Sequence, residues 1–316
     1  MKAASEPAGV HQDRLPLTVV VVAYGMAREL PRTLASLAPP YQRGIGLDDY
    51  EVVVVDNGSP VPVAESALAS FPGRIRLLRL DPASPSPAAA ANAGIEAAEG
   101  ELVGLIIDGA RMASPGLLAT ARLARGVNAR PVIATAGWHL GSVRHMEAAA
   151  AGYDQATEDE LLERIDWRAD GYRLFEVSTL AGSSGRGWFG PLSESSALFM
   201  TADLWADLGG LDERFAMPGG GLVNHDLYVR ACGRADTRLV MLLGEGTFHQ
   251  FHGGAATSGR FEWDDMHADY QAIVGRPFEP PADAPLYIGG VPPSALEHVE
   301  ESVRLALVRR RKALGR

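Results

Sequence analysis

Four short apolar runs punctuate the first third of the chain, and their spacing predicts its architecture. Residues 17 to 22 (Leu-Thr-Val-Val-Val-Val) form an almost unbroken β-branched run, the signature of a strand covered on both faces. Leu30, Leu34 and Leu37 then recur at helical spacing and stop before Pro39-Pro40. "EVVVVDNGSP" predicts a second buried strand that ends in Asp56 and a turn, and "IRLLRL" (75 to 80) predicts a third. A Pro/Ser loop and an Ala-rich helix lead to Gly100. "LVGLII" is a fourth strand, with the helix "SPGLLATARLAR" after it. Strands alternating with helices at this spacing predict a mostly parallel sheet with helices on both sides. In such sheets ligands bind beyond the C-terminal strand ends. Two strands end in an acid, Asp56 and Asp108, and this predicts one shared site.

The second half is less regular. Residues 139 to 191 mix charged helical pieces ("TEDELLERIDWR") with a Gly/Ser-rich loop, "AGSSGRGWFG". "AMPGGGLVNHDLYVRACG" reads as a flexible glycine loop entering a helix capped by Asn224 or Asp226. "RLVMLL" is a late strand, and "GEGTFHQFHGGAATSG" a loop after it. From Phe261 the chain reads as a loop-rich extension closed by the amphipathic helix "ALEHVEESVRLALVRRRKAL". No internal repeat or long linker divides it.

Composition narrows the function classes. The chain has 316 residues, 47% hydrophobic and 22% charged, which is ordinary for a globular protein. A formal net charge of −10 argues against a broad nucleic-acid surface, so an anionic ligand needs a local site. The single cysteine, Cys232, excludes an internal disulfide framework, fits a reducing compartment and reads as a small core residue. The first fifteen residues lack the apolar core of a signal peptide, and "LTVVVVA" is too short to span a membrane. These features predict a cytoplasmic chain without a transmembrane segment. The basic "RRRKALGR" end reads as a solvated helix end before it reads as a peripheral contact with an anionic membrane.

With these pieces in order, the sequence resembles the family 2 glycosyltransferases of the GT-A fold. Four landmarks carry the resemblance: "VVVVAYGMARELPRTLASL", "VVVVDNGSP", "AANAGIEAAEGELVGLIIDGA" and "ALFMTADLWADLGGLDERF...HDLYVR". It covers residues 16 to 255, with a nucleotide-sugar half at about 16–138 and an acceptor half at about 139–255. Residues 256–316 form the extension. Two departures stand out. Where the family has Asp-x-Asp, this chain has Asp108-Gly109-Ala110; where the family has a Glu-Asp pair before Asp-Leu, it has Val223 and Asn224. An amide cannot accept a proton usefully, so the base must lie elsewhere or the chain does not transfer sugar.

The resemblance implies a role for each candidate residue. Ala23 and Tyr24 would flank the nucleotide base, Asp56 would accept hydrogen bonds from uracil or ribose, and Asn92 would reach the nucleotide from its helix. Each has a plainer reading: Asp56 as an Asx-turn residue, Asn92 as a surface amide. Asp108 would bind a divalent metal beneath the diphosphate of a nucleotide sugar, a UDP-sugar first among them. His249 and His252, three apart in the loop before Gly253-Gly254, would supply the ligands that Ala110 does not, and imidazole favours Mn²⁺ over Mg²⁺. The plain reading has both histidines packing under the extension. For the catalytic base, Asp226 ranks ahead of Glu194, with His225 third. Arg111 would screen the diphosphate or form a surface ion pair. The implied activity is a metal-dependent, inverting, hexosyltransferase-like transfer to a carbohydrate, lipid-linked or small-molecule acceptor, and a homo-oligomer is compatible with it. The rival is a sugar-nucleotide-binding scaffold that kept the fold and lost the base; a nucleotidyltransferase is weaker, since no Gly-rich basic loop follows the first strand.

Overall fold

The computed structural model describes residues 15–69, 71–252 and 263–313. Its strands are β1 (Leu15–Ala23), β2 (Tyr50–Asp56), β3 (Arg74–Arg79), β4 (Gly100–Ile106), β5 (Arg111–Ala113), β6 (Pro131–Leu140), β7 (Ser178–Leu180), β8 (Leu198–Thr201), β9 (Arg238–His249) and β10 (Leu286–Gly289). All ten belong to one sheet, ordered β10-β9-β6-β8-β4-β1-β2-β3, with β5 paired to β9 and β7 to β6. The predicted α/β class is what the chain adopts: a mostly parallel, curled central sheet flanked by helices, of the GT-A type.

Alternation along the strands builds two cores, one on each face. Leu17, Val19 and Val21 of β1 join Tyr50, Val52 and Val54 of β2 on the face covered by helices Leu30–Ser36 and Leu117–Arg125. Val20, Val22, Val53 and Val55 point the other way, against the Ala-rich helix Ala88–Glu96. Gly94 in that helix faces Val20 and Val55, so closely that a Cβ there would overlap both. The small residues of "AAAANAG" are therefore a packing requirement of a helix that lies close on the sheet.

The sheet departs from the sequence reading in its second half. β6 is a ten-residue strand where no strand is predicted, because "PVIATAGWHL" carries Ala and Gly where β-branched residues would signal it. β8, four residues long, inserts antiparallel between β6 and β4. β9 does not end at Leu243 but runs to His249, pairing with β5 through Arg111↔His249 and with β6 through His139↔His249. The β6–β9 ladder slips between Ala134↔Met241 and Ala136↔Gly246, where β9 accommodates three more residues than β6. Gly244 (φ +78°) lies in that slip, where a side chain would overlap the Gly290 carbonyl. The extension contributes β10, parallel beside β9, and the helix Leu296–Ala313. No helix among the described residues is long and apolar enough to cross a membrane.

Candidate active site

The C-terminal ends of β1, β2 and β4 lie side by side, and each predicted site residue can be placed against them. Ala23 is paired with Asp56 in the β1–β2 register and is buried, while the Tyr24 ring beyond it is 50% exposed. Asp56 is fully buried. Its Oδ1 accepts from the Ser59 amide at 2.8 Å, and its Oδ2 from the Val63 amide at 3.1 Å and Arg79 Nη1 at 2.5 Å. Burial alone would raise its pKa; Ser59, Val63 and Arg79 together lower it instead. The Asx-turn role is thus real, and little acceptor capacity remains for a nucleoside. Asn92 reaches no open site. Its Nδ2 donates to the Leu211 carbonyl and Glu213, and its Oδ1 accepts from the Leu211 amide at 2.8 Å. The amide anchors the turn after helix Ala202–Leu208, which displaces the nucleotide role assigned to it above.

Asp108 has different company. Its Oδ1 accepts from the Ala110 amide at 2.9 Å, which orients the carboxylate. Its Oδ2 lies 2.7 Å from His249 Nε2 and 3.4 Å from His252 Nε2, and the two imidazole nitrogens are 3.0 Å apart. These three atoms make a triangle close to the separation of neighbouring ligands around an ion with bonds of about 2.1 Å. Burial opposes the charge on Asp108, but His252 and His249 hold its pKa well below the carboxylate range. His249, desolvated at the strand end, is pushed down to about 4 although Asp108 pulls the other way; it is a neutral imidazole. Burial would also lower His252, yet Asp108 raises it above the usual value. One carboxylate and two imidazoles are a donor set for a divalent transition ion such as Mn²⁺, more than for Mg²⁺.

His249 is not a loop residue as predicted. It closes β9, and only His252 lies beyond the strand. Gly253 and Gly254, assigned a close approach to ligand, lie outside the described residues. Ala110 is fully buried, so the position where the family carries its second acid faces packed side chains here.

Behind His249 stand His139 and His145, which the sequence reading missed because β6 was not recognised. Their rings are 5.5 and 5.2 Å from that of His249. His139 Nδ1 accepts from the His145 amide at 2.9 Å, so in the neutral ring the proton sits on Nε2, which cannot ligate. Burial depresses both, His145 to about 3. They form a neutral backing layer that fixes the ring of His249. A second support, also unforeseen, is Glu158. Its fully buried carboxylate accepts from the Phe251 amide at 2.7 Å, next to His252, and from Arg28 at 3.3 Å.

The base candidates separate clearly. Asp226 and Asn224 lie inside helix Val223–Cys232, whose N-cap is Leu222, so neither caps it. Asp226 is 5% exposed and binds Arg230 Nε at 2.7 Å, while the same guanidinium holds the Leu208 and Gly210 carbonyls. This contact ties the helix to the turn after Leu208 and occupies Asp226 Oδ2. Glu194 is 17% exposed; its Oε2 accepts from Asn224 Nδ2 at 2.7 Å and lies 3.6 Å from His225 Nδ1. The amide standing where the family has its acid therefore orients another acid. Burial would raise Glu194, but His225, Arg111 and Asn224 lower it, leaving a carboxylate. Arg111, paired with His249 across β5 and β9, adds positive charge felt by Glu194 and by both histidines. Among the described residues it has no hydrogen-bond or ion-pair partner, and its Nε is buried.

Comparisons with known proteins bear on the fold that carries this site. Residues 18–109 match the model of glycosyl transferase family 2. No curated protein matches the chain. Among solved structures, S. aureus TarS 1-349 in complex with UDP-GlcNAc is 13% identical with a TM-score of 0.57, covering 82% of this chain and 66% of that one. The UDP complex gives 13% identity and a TM-score of 0.52 over 83% of this chain and 71% of that one. A further structure of TarS 1-349 gives 15%, 0.51, 74% and 60%. The chain thus spans less than two thirds of the length of the first of these structures. The likeness is one of fold.

Proposed function

We propose that the chain is a glycosyltransferase that moves a sugar from a nucleotide-diphospho donor to an acceptor hydroxyl, with inversion. The convergence of His249 and His252 on Asp108, which follows β4 and lies within the segment that matches the family model, carries this reading. TarS, which shares the fold, was crystallised with UDP-GlcNAc, and this favours a UDP-sugar donor. Asp108, His249 and His252 would hold the metal, Mn²⁺ first; when bound it neutralises charge on the leaving diphosphate. Tyr24 lies open beside the nucleoside end, and Asp56 shapes the turn there. Arg111, without a hydrogen-bond or ion-pair partner among the described residues, would face the diphosphate.

Glu194 would take the proton from the acceptor hydroxyl. Its Oε2 accepts from Asn224, and Ser183 also hydrogen-bonds the carboxylate, so the group is held as an oriented acceptor. The same Asn224 is what favours the alternative, a binding protein without turnover. A panel of sugar nucleotides with Mn²⁺ or with chelator, read by release of nucleoside diphosphate, tests the activity. Glu194→Gln should then lower turnover by about 10²-fold or more at unchanged melting temperature. Asp226→Asn should do the reverse: it loosens the Arg230 fastener and lowers stability, with turnover changed far less. No turnover by the wild type with any donor would leave the scaffold reading standing, and equal turnover in both variants and wild type would exclude Glu194 as the base.

A further inference from the structure

The closing helix Leu296–Ala313 has one face fastened to the domain and one face that no described residue covers. On the fastened side, His298 Nε2 is 2.9 Å from the Phe175 carbonyl, and Ser302 Oγ accepts from the Trp188 amide at 3.2 Å. Gly187, in the left-handed region (φ +65°), lets Ser302 approach so closely that a Cβ would collide with it. The helix is therefore held in a fixed orientation, and what it presents outward is fixed with it. Leu296, Val303 and Leu307 recur there at coiled-coil spacing and are 59%, 43% and 51% exposed. Three large apolar side chains in one stripe on a rigid helix are an exposed patch of the kind that marks an association surface.

Charge along this helix is divided. Glu297, Glu300 and Glu301 stand toward its start; Arg304, at its middle, and Arg309, Arg310, Arg311 and Lys312 stand after them. Within the helix only the Arg304–Glu301 contact, at 3.7 Å between two exposed groups, joins the halves among the described residues. A second identical helix laid antiparallel would set each acidic half against a basic half, with the apolar stripes in contact between them. A parallel arrangement would oppose like charges. We infer that this helix is the isologous interface of a two-fold homodimer, its partner being a second copy of the chain. An acidic partner protein would be repelled by the first half, and an anionic lipid surface likewise.

The oligomeric state of the whole chain tests this, measured by light scattering and sedimentation over a concentration series. The wild type should show twice the chain mass at high concentration and dissociate on dilution, more readily in high salt. Val303→Glu with Leu307→Glu should weaken association by about tenfold or more. Both side chains are exposed in the single chain, so the melting temperature at low concentration should stay the same. A Glu297→Arg, Glu300→Arg, Glu301→Arg chain should fail to pair with itself. It should pair tightly with an Arg304→Glu, Arg310→Glu, Arg311→Glu chain in either arrangement, whereas a chain carrying both sets of substitutions should pair with itself and not with the wild type; a doubly substituted chain that pairs with the wild type instead shows a parallel arrangement and overturns the inference. A wild type that stays monomeric at every concentration overturns the inference, as does a dimer that survives the apolar double substitution. Binding of the monomer to phosphatidylglycerol vesicles, lost in that double variant, would assign the stripe to a membrane and overturn it too.

Discussion

Asp56 and Asp108 end strands that flank β1 on either side, yet they are chemically opposite. Asp56 is surrounded by donors that arrive with the fold: two amides of its own turn and the guanidinium of Arg79 on the neighbouring strand. Asp108 receives one amide, and the rest of its field is two imidazoles that carry lone pairs as readily as protons. Glu245 is a third case. It is buried in mid-β9 and held by neutral donors, the Ser114 hydroxyl on one oxygen, the Tyr172 hydroxyl at 2.8 Å on the other, and the Gly116 amide. Strand-end position alone does not make a carboxylate a ligand; the identity of its partners does.

The sharpest test removes the charge from each in turn. Asp108→Asn should lower Mn²⁺-dependent UDP affinity by about 10²-fold, with little change in stability, because no guanidinium is left unpaired. His252→Ala should lower it by about tenfold, one coordination position falling to water. Calorimetry that finds equal UDP affinity with Mn²⁺ and with EDTA would break the comparison at its first term. Asp56→Asn should instead cost about 2 kcal/mol of stability, since Arg79 and the turn lose a charged acceptor, and nucleotide affinity should fall by less than tenfold. Denaturant unfolding beside nucleotide titration separates the two outcomes. If Asp56→Asn keeps full stability and loses binding, the nucleoside role outweighs the turn.

Glu245 yields the smallest effect and the clearest sign. Burial raises its pKa from the ordinary 4.5 to about 7. The folded chain thus keeps this proton where the unfolded chain has lost it. The stability it confers is complete below about pH 4.3 and declines as pH rises through 7, by at most about 3 kcal/mol. Glu245→Gln should flatten that decline; measured at pH 5 and pH 8, the variant should gain on the wild type at the higher pH. Glu158, also raised to about 7 by burial, adds a slope of the same sign that the Glu245 variant leaves in place.

Much of this was readable from the chain. β1 to β4 announce themselves because strands buried on both faces must be continuous apolar runs, and Asp108 stands at the end of one. The meeting of Asp108 with His249 and His252 was reached through the family resemblance. The residues that failed share one cause, which is contact across long sequence separation. β6 is an Ala- and Gly-rich strand whose pairing with β9 supplies what its side chains do not, and with it His139 and His145 stayed hidden. The proposal of Glu194 over Asp226 as base rests on Asn224, thirty residues on, which holds one while Arg230 binds the other. No spacing rule reports which of two acids is already taken.

The slip in the β6–β9 ladder sets the phase of everything after it. Before the slip, Leu239 and Met241 point to one core and Val240 and Leu242 to the other. After it, the even-numbered Phe248 points to the core that Leu239 and Met241 serve. An odd number of extra residues exchanges the two faces of a strand. His249 is thereby turned to the face opposite Phe248, where Asp108 waits, and Phe248 is turned inward against Trp138. In an uninterrupted ladder the same sequence would bury the imidazole among aromatic rings and present phenylalanine to the carboxylate. The three surplus residues act as a half-turn in the strand's parity, and the ligand set depends on that count staying odd.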